Sequence, residues 1–517
     1  MSTTDISFNE THYQEYSKSK NKNLFEEIIE KMMVESYMDE TFQPYIEDIK
    51  KLIEQDLTPD KKRFAILCTL DKNRQLMAKA KCFNDENNKL SKFEHISNYI
   101  KILRDYVKVS EVEKKKFGEV MTPYELVVEM LSKLPKEVWS NPNLKWLDPC
   151  NGVGPFGAVV IKKLMKELVE WEPNDEKRYK HILENMVYVC ELQPKNMFIW
   201  LTMIDPKNEF DPNIYCGSFL EEGFNTHCKD VWGVEKFDIV VGNPPYNAEQ
   251  TATGKRGGGD TLWDKFVIQS INNLKESGYL CFVHPALWRK PQSEKSSSNE
   301  VSGLMLSKQL LYLEIHNMRD GMAVFGAGTR YDFYVLHNTD IYANTLVKGE
   351  DGVELNIDIR KYPFIPNMGF DKFEKLFLEG NEKCEIIFNV SNYETRKSWV
   401  SDIEDETHKY PLIHSTPKKG TRYMYSLRND NGHFGIPKVI FGDSGIYDVI
   451  IDMEGRYGMT QHAMGIIVNN NEEADKISSC LLSSGFNRFL NETLMWSNYQ
   501  LDWRLFNHLR KDFYNFI

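Results

Sequence analysis

The sequence predicts an α/β protein built on a doubly wound, mostly parallel sheet of seven strands, with a helical N-terminal region and a mixed α+β C-terminal domain. The chain has 517 residues, which is too long for a single hydrophobic core. From about 116 to 340, short apolar segments alternate with helical patterns, which indicates parallel strands joined by crossovers. The pattern differs on either side, so we expect three domains, 1–115, 116–340 and 341–517.

The N-terminal region 1–115 has the apolar spacing of helices. Apolar residues recur at intervals of three and four in 23–33, which is the period of one helix face. The segment 90–106 repeats this spacing, with five residues on one face: Leu90, Phe93, Ile96, Ile100 and Leu103. We interpret these helices as packing or partner-binding surface, because none of their residues indicates chemistry.

Seven short apolar segments are expected to form the central sheet. The last two are close in sequence with no long helix between them, which predicts an antiparallel pair at one edge. The seven segments are 146–147, 187–190, 214–216, 238–241, 279–283, 311–315 and 331–336.

Composition excludes several classes of protein. A net charge of −12 argues against non-specific coating of nucleic acid, which requires Lys and Arg to neutralise phosphates, although a local basic cleft remains compatible with it. Nine cysteines without a C-x-x-C pair favour reduced thiols, and we expect no structural metal. The sequence contains no run of 18 apolar residues that could span a membrane, and its first residues do not have the pattern of a signal peptide. We therefore expect a cytoplasmic protein.

The run 237–247 carries the main chemical signal. A buried β-branched strand ends in Gly242 and continues directly into Asn243-Pro244-Pro245-Tyr246. Ligands bind at the carboxyl ends of such strands, and two prolines make the neighbouring carbonyls rigid and free to accept hydrogen bonds. Two acceptors and one aromatic face suit a planar NH2 group. A plain strand-terminating turn is the alternative interpretation.

Two further segments indicate a nucleotide-like cofactor. The segment 148–156, Asp-Pro-Cys-Asn-Gly-Val-Gly-Pro-Phe, leaves a strand through a glycine turn and enters a helix. Its glycines allow close approach of a ligand, but the lysine and hydroxyl residue of a phosphate-binding loop are absent. Glu191 ends the next strand, where a carboxylate can bind the two hydroxyls of a ribose. Together they suggest an adenosine-containing cofactor without phosphate.

With these motifs in this order, the chain resembles the gamma-class N6-adenine DNA methyltransferases of restriction-modification systems. The order is a methionine-binding segment at 118–123, the glycine turn at 148–156, Asn243 to Tyr246, and then a target-recognition domain. The resemblance covers about 116 to 340 and implies the S-adenosylmethionine-dependent methyltransferase fold. It also implies that S-adenosyl-L-methionine is the cofactor and that double-stranded DNA is the partner.

The resemblance assigns cofactor contacts residue by residue. It implies that Thr122 and Pro123 lie against the methionine part and that Glu191 binds the ribose hydroxyls. Where the family has an acid beside the cofactor adenine, this chain has Ser218, which can hydrogen-bond without supplying charge. The cofactor-binding residues expected in this way are Thr122, Pro123, Asp148, Pro149, Gly152, Glu191, Ser218, Phe219 and Asn243.

The resemblance also implies how the base is held. A flipped adenine would stack on Tyr246, and Phe325 would be a second aromatic beside it, although Phe325 also fits a core residue in a turn. Hydrogen bonds from the amine to the Asn243 side chain and the Pro244 carbonyl would favour in-line attack on the methyl group. The expected catalytic residues are Asn243, Pro244, Pro245 and Tyr246.

The C-terminal region carries a basic and aromatic stretch at 417–428. Lys418, Lys419, Arg422 and Arg428 are expected to bind DNA, although a solvated turn explains the same stretch equally well. A protein glutamine N5-methyltransferase, an RNA adenine methyltransferase and a non-enzymatic scaffold remain alternatives. No nuclease motif is evident in the first hundred residues, so we expect modification without cleavage, compatible with a separate restriction or specificity subunit.

Overall fold

The computed structural model describes residues 96–97, 100, 121–205, 209–247, 261–293, 296–389, 391–496 and 501–517. Residues 96, 97 and 100 are helical, and Ile96 and Ile100 are buried. The rest of the predicted N-terminal region and residues 118–120 of the predicted methionine-binding segment lie outside the described residues.

The chain divides into two compact units. Unit 1 contains the residues up to 285 together with 303–313 and 319–345. Unit 2 contains 286–302, 314–318 and 346–517.

A large mixed sheet contains all seven predicted strands and two more. The strand order is β3-β2-β1-β4-β5-β7-β6-β8-β9. The sheet therefore has nine strands and not seven, because the last two are short segments whose sequences, Thr-Leu-Val-Lys and Glu-Leu-Asn-Ile, lack a continuous apolar run. The strands are β1 Trp146–Asp148, β2 Val187–Glu191, β3 Asn213–Cys216, β4 Phe237–Gly242, β5 Leu274–Pro285, β6 Gln309–His316, β7 Tyr331–His337, β8 Thr345–Lys348 and β9 Glu354–Ile357.

The sheet is parallel from β3 through β5, and β7 runs antiparallel to β5. The two strands of the predicted edge pair, β6 and β7, are neighbours, but they do not lie at an edge because β8 and β9 continue the sheet beyond β6. An eight-residue helix, Met318–Phe325, follows β6, and β7 then pairs with β5 in the sheet interior between β5 and β6.

Helices connect these strands, and the apolar sides of both layers form the core. Trp146, Leu164 and Val241 belong to one continuous buried cluster that includes residues of β1, β2, β4, β5 and β7. The helices are α1 Tyr124–Ser132, α2 Pro155–Glu167, α3 Asp175–His181, α4 Pro194–Ile204, α5 Glu222–Asp230, α6 Trp263–Asn272, α7 Ser297–Leu306 and α8 Met318–Phe325, with shorter turns at Lys136–Trp139, Ile182–Met186 and Ala286–Arg289.

Unit 2 also contains two small four-stranded sheets, of order β10-β17-β14-β15 and β11-β13-β12-β16. Helices accompany them, so this part of the chain contains both strands and helices. The strands are β10 Ile386–Ile387, β11 Val400–Ser401, β12 Tyr410–Ser415, β13 Arg422–Ser426, β14 Lys438–Gly442, β15 Ile450–Asp452, β16 Gly458–Met459 and β17 Ala463–Ile467. The helices are α9 Phe370–Phe373, α10 Asn471–Leu482, α11 Ser484–Thr493 and α12 Arg504–His508, with short turns at Ile359–Lys361, Glu374–Leu378 and Phe513–Asn515.

Two kinds of feature are absent from the described part of the chain. None of its helices is both long enough and apolar enough to cross a membrane. Within the same residues, no group of three or more His, Cys, Asp or Glu side chains is placed to hold a metal ion.

Candidate active site

A pocket of about 260 Å3 lies at the carboxyl ends of the central strands of unit 1. Strand β1 lies between β2 and β4, so the connections from β1 and β4 leave toward opposite sides of the sheet. Ligands of open α/β sheets bind in the crevice at such a reversal of strand order. The pocket is lined by residues 121–122, 149–153, 155–156, 191–193, 196, 217–220, 243, 245, 247, 262 and 266.

The glycine turn after β1 forms the floor of this pocket as the sequence predicted. Gly152 and Gly154 have φ of +55° and +88°, a region that favours glycine, and α2 begins at Pro155. A Cβ on Gly154 would lie 2.1 Å from the ring of Trp200. A side chain at Gly154 would therefore disturb both the turn and the packing of α4 beneath it.

Glu191 joins the end of β2 to the glycine turn. Its Oε2 accepts a hydrogen bond from the Gly152 N–H at 2.7 Å, and its Oε1 accepts one from the Gln193 N–H at 2.7 Å. The pKa of this carboxyl is raised to about 7. Burial is the main cause, and the two hydrogen bonds act in the opposite direction without cancelling it. Each carboxylate oxygen can accept a second hydrogen bond, so Glu191 retains capacity for ligand hydroxyls.

Asp148, at the end of β1, is a buried carboxyl with one oxygen unused. Its Oδ1 accepts a hydrogen bond from the Cys150 N–H at 3.1 Å, whereas its Oδ2 is buried without a hydrogen-bond partner among the described residues. Burial raises the pKa of Asp148 to about 7. Isolated buried charge is costly, so this position suits a cationic or hydrogen-donating ligand group.

Asn243 directly follows β4 beside the pocket. The nitrogen of its side-chain amide has a hydrogen-bond partner, and the oxygen has none among the described residues. Its Nδ2 donates to Oγ1 of Thr122 at 3.0 Å. Its Oδ1 is buried and has no hydrogen-bond partner among the residues that the structure describes. A buried amide oxygen without a donor is an acceptor available to a ligand N–H.

Tyr246 and Phe325 come together as the sequence predicted, but they are not arranged as a parallel clamp. Their ring centroids are 6.3 Å apart and the ring planes are at 82°. A flat group stacked between parallel rings needs about 7 Å, two contact distances of about 3.5 Å. Phe325 can therefore contact only the edge of a group that stacks on Tyr246. Burial raises the pKa of the Tyr246 hydroxyl, which keeps it neutral.

The segment after β3 lines one part of the pocket. Ser218 lines the pocket, and its Oγ accepts a hydrogen bond from the Leu220 N–H at 3.2 Å. Phe219 is buried, with its ring against Phe224 and Phe266, so it supports the pocket wall more than it presents an open face.

Leu192 is a pocket residue that sequence reasoning missed. It is 51% exposed and lines the pocket directly after Glu191, where it offers apolar surface to a flat ring. Its position immediately after the acid at a strand end was the available signal.

Four predicted site residues of this region, Pro123, Asp148, Pro244 and Tyr246, are not among the residues that line the pocket. Pro123 is the N-cap of α1, and its carbonyl accepts a hydrogen bond from the Val127 N–H at 3.1 Å. Pro244 is buried beside Asn243. Eight predicted residues line the pocket itself: Thr122, Pro149, Gly152, Glu191, Ser218, Phe219, Asn243 and Pro245.

The predicted basic residues lie in unit 2, on and around β13. Lys418, Lys419 and Arg422 are exposed, and the Lys418 ammonium lies 4.9 Å from the centre of the Tyr447 ring. Arg428 instead forms an ion pair with Asp430, with Nε 2.7 Å from Oδ1. Three of the four cations are therefore solvated on the surface, and the fourth is partly neutralised.

Residues 164–325 match the family model described as Eco57I restriction-modification methylase. This segment contains Glu191, Asn243 to Tyr246 and Phe325, and it begins after the glycine turn. It is less than half of the chain.

Two curated relatives are adenine or modification methylases by their names. An uncharacterized adenine-specific methylase of Mycoplasma pneumoniae is 26% identical over 235 residues, covering 33% of this chain and 55% of the relative. The modification methylase CviBIII of Paramecium bursaria Chlorella virus NC1A is 24% identical over 236 residues, covering 44% of this chain and 52% of the relative. The chain thus spans about half the length of the curated relatives it matches.

Among solved structures, the type IIL restriction-modification enzyme MmeI in complex with DNA shares 11% identity and a TM-score of 0.47, covering 80% of this chain and 70% of that one. The family match and the curated relatives agree with the resemblance predicted from the motifs. Residues 164–325 are therefore similar to the Eco57I restriction-modification methylase family, and the two curated relatives are named as an adenine-specific methylase and a modification methylase.

Proposed function

We propose that this chain is a site-specific DNA adenine N6-methyltransferase that uses S-adenosyl-L-methionine and acts as the modification part of a restriction-modification or related system. The observation that carries the proposal is Asn243. It presents a buried, unpartnered acceptor beside a pocket at the carboxyl end of β4, as recognition of an amine requires. The methylase family match over 164–325 supports the same reaction class.

The pocket residues fit S-adenosylmethionine. The unpartnered Oδ2 of Asp148 is suited to the positive end of the cofactor, and Glu191 has acceptor capacity left for two ribose hydroxyls. Leu192 offers apolar surface to an adenine ring. When bound, the cofactor supplies an electrophilic methyl group. The residues proposed to hold it are Thr122, Pro123, Asp148, Pro149, Gly152, Glu191, Ser218, Phe219 and Asn243.

The target adenine is proposed to enter by base flipping, because its amine cannot reach a methyl donor inside a duplex. Stacking on Tyr246 offsets part of the cost of unstacking, and Phe325 closes the edge of the base site. Hydrogen bonds from the amine to Oδ1 of Asn243 and to the Pro244 carbonyl orient its lone pair toward the methyl group. The chain's role is positioning and charge stabilisation, so no strong base is required.

Unit 2 is proposed to recognise the DNA sequence around the target. Exposed Lys418, Lys419 and Arg422 can contact phosphates, and aromatic side chains stand beside them, as Lys418 shows against Tyr447. Arg428 would have to exchange its partner Asp430 for a phosphate, so we assign it the smallest contribution. A separate restriction or specificity subunit is compatible with this division.

The proposal is tested by expressing the full chain in cells that lack N6-methyladenine and sequencing their DNA with a method that detects this base. We expect methylated adenines within one recurring sequence, and no methylation with Asn243→Ala. Absence of N6-methyladenine from DNA with the folded wild-type protein, or its appearance in RNA or methylation of protein glutamine instead, would replace this function with one of the alternatives.

A further inference from the structure

The hydrogen bond between Asn243 and Thr122 joins two parts of the chain that are 121 residues apart. Thr122 is 2% exposed and lies directly before Pro123, the N-cap of α1, so its side chain is buried at the start of that helix. The other end of the bond is the Nδ2 of Asn243, at 3.0 Å.

The main chain around Asn243 leaves only its side chain free to move. Gly242 closes the parallel strand β4, and Pro244 and Pro245 restrict the backbone that follows. The amide group of Asn243 could still rotate about its side-chain bonds. The Thr122 hydroxyl is the hydrogen-bond partner that the described structure gives to this amide.

The orientation of the amide decides what the site can bind. With Nδ2 directed to Thr122, the Oδ1 of Asn243 is left as an unpartnered buried acceptor. With the amide reversed, Thr122 would donate to Oδ1, and two N–H donors would face the incoming amine, which has N–H donors of its own.

We propose that Thr122 is a positioning residue for the reaction: its hydroxyl accepts the Nδ2 hydrogen bond of Asn243 and thereby presents Oδ1 to the target amine. This inference rests on the proposed function. It assigns Thr122 a role in the rate of methyl transfer, beyond the cofactor contact that the family resemblance implies for it.

Two substitutions separate the hydroxyl from the rest of the side chain. Thr122→Val keeps nearly the same shape without the hydroxyl, and Thr122→Ser keeps the hydroxyl without the methyl group. The full-length proteins are assayed for single-turnover transfer of labelled methyl to amplified genomic DNA, which carries no methylated bases, at saturating S-adenosylmethionine. Cofactor affinity is measured separately by calorimetry.

We expect Thr122→Val to slow methyl transfer about tenfold, as loss of one well-placed hydrogen bond does, with a smaller loss of cofactor affinity because the other proposed cofactor contacts remain. Thr122→Ser should keep both the rate and the affinity within about twofold. If the valine variant does not fold, Thr122→Ala replaces it as the hydroxyl-free variant, with folding checked by circular dichroism.

Three results would overturn the inference. A wild-type rate without the hydroxyl would show that Asn243 is oriented by other means. Weaker cofactor binding with an unchanged saturated rate would make Thr122 a cofactor contact alone. Equal loss of rate in the serine and valine variants would assign the effect to packing of the methyl group.

Asn243→Ala, assayed in parallel, separates this inference from the proposed function. If Asn243→Ala retains methyl transfer, the proposed catalytic site itself is wrong. If Asn243→Ala abolishes transfer while Thr122→Val leaves it unchanged, only the role of Thr122 is overturned.

Discussion

Unit 1 and unit 2 both bury charged side chains, but they satisfy them differently. In unit 2, Lys438 and Asp452 form a buried ion pair with Nζ 2.8 Å from Oδ2. The Asp452 oxygens also accept hydrogen bonds from the backbone N–H groups of Arg456 and Tyr457. In unit 1, the buried Asp148 has one oxygen without any hydrogen-bond partner among the described residues.

The difference separates two uses of buried charge. A buried carboxylate with complete hydrogen bonding belongs to the architecture, because its desolvation is offset within the protein. A buried carboxyl that directly precedes pocket-lining residues in the chain and keeps an unused oxygen has its best partner in a ligand. Substitution of the buried Lys438–Asp452 pair in unit 2 should therefore change the free energy of unfolding, and substitution of the pocket residues in unit 1 should change binding or rate.

The largest expected effect is on turnover in unit 1. Asn243→Ala removes the acceptor proposed for the amine, so we expect methyl transfer to fall about 1,000-fold. Because most of the proposed cofactor contacts remain, S-adenosylmethionine affinity should stay within a few-fold of wild type. Single-turnover methyl transfer and calorimetry measure the two quantities.

Asn225→Ala, an exposed position on α5 of the same unit, makes the same chemical change away from the pocket. It should leave both quantities unchanged. Equal activity of the two alanine variants would remove Asn243 from the mechanism.

The matching test in unit 2 is Lys438→Met. It leaves Asp452 buried without its cation, so the free energy of unfolding should fall by about 3 kcal/mol, measured by urea denaturation. Lys476→Met breaks an exposed pair with Glu472 and should leave the free energy of unfolding close to that of wild type. If Lys438→Met lowers cofactor affinity instead of stability, the division between the units fails.

The next largest expected effect is the loss of cofactor affinity in Glu191→Ala. It removes the oxygens proposed for the ribose hydroxyls and also the acceptor that holds the Gly152 N–H, so S-adenosylmethionine should bind about 10- to 100-fold more weakly. Glu235→Ala, at an exposed position of unit 1, is the control and should bind normally. Unchanged affinity of Glu191→Ala in calorimetry would mean that the cofactor does not use this acid.

The sequence predicted much of the sheet because its seven strands are short apolar runs separated by helical patterns. It missed β8 and β9, where Leu346 is exposed and Val347 is buried, because four-residue segments with mixed polarity carry little signal. The placement of β7 beside β5 was also not predicted, because the sequence of a strand does not indicate which other strand it pairs with.

The candidate site was predictable where residues stand at the end of a strand or directly after it. Asn243 and Glu191 are of this kind, and the structure places both at one pocket. The Thr122 hydrogen bond to Asn243 was not predictable, because a contact across 121 residues has no local signature. The ion pair between Arg428 and Asp430 could have been predicted from the sequence, because the two oppositely charged residues are only two positions apart.

The smallest expected effect is a pH dependence of cofactor binding. Burial raises the pKa of both Asp148 and Glu191 from ordinary values near 4 to about 7. Below pH 7 the carboxyls of the ligand-free protein are therefore mostly neutral, and above pH 7 they are mostly ionised. A cationic sulfonium favours the ionised form.

Affinity for S-adenosylmethionine should consequently rise about tenfold between pH 6 and pH 8 if one carboxyl must be ionised for binding. S-adenosylhomocysteine has no sulfonium charge and should show a smaller change, and calorimetry of both compounds across this range makes the comparison. Equal pH profiles for the two compounds would mean that Asp148 does not face the sulfonium.

The same two carboxyls should act on stability with the opposite sign. Their raised pKa values mean that the folded, ligand-free protein binds more protons than the unfolded chain between about pH 4 and pH 7. Their contribution to the free energy of unfolding is therefore fully present at low pH and is lost as pH rises through 7. Cofactor binding is favoured by the ionised form, so thermal stabilisation by S-adenosylmethionine should be larger at pH 8 than at pH 6, and the reverse order would contradict a binding role for these buried acids.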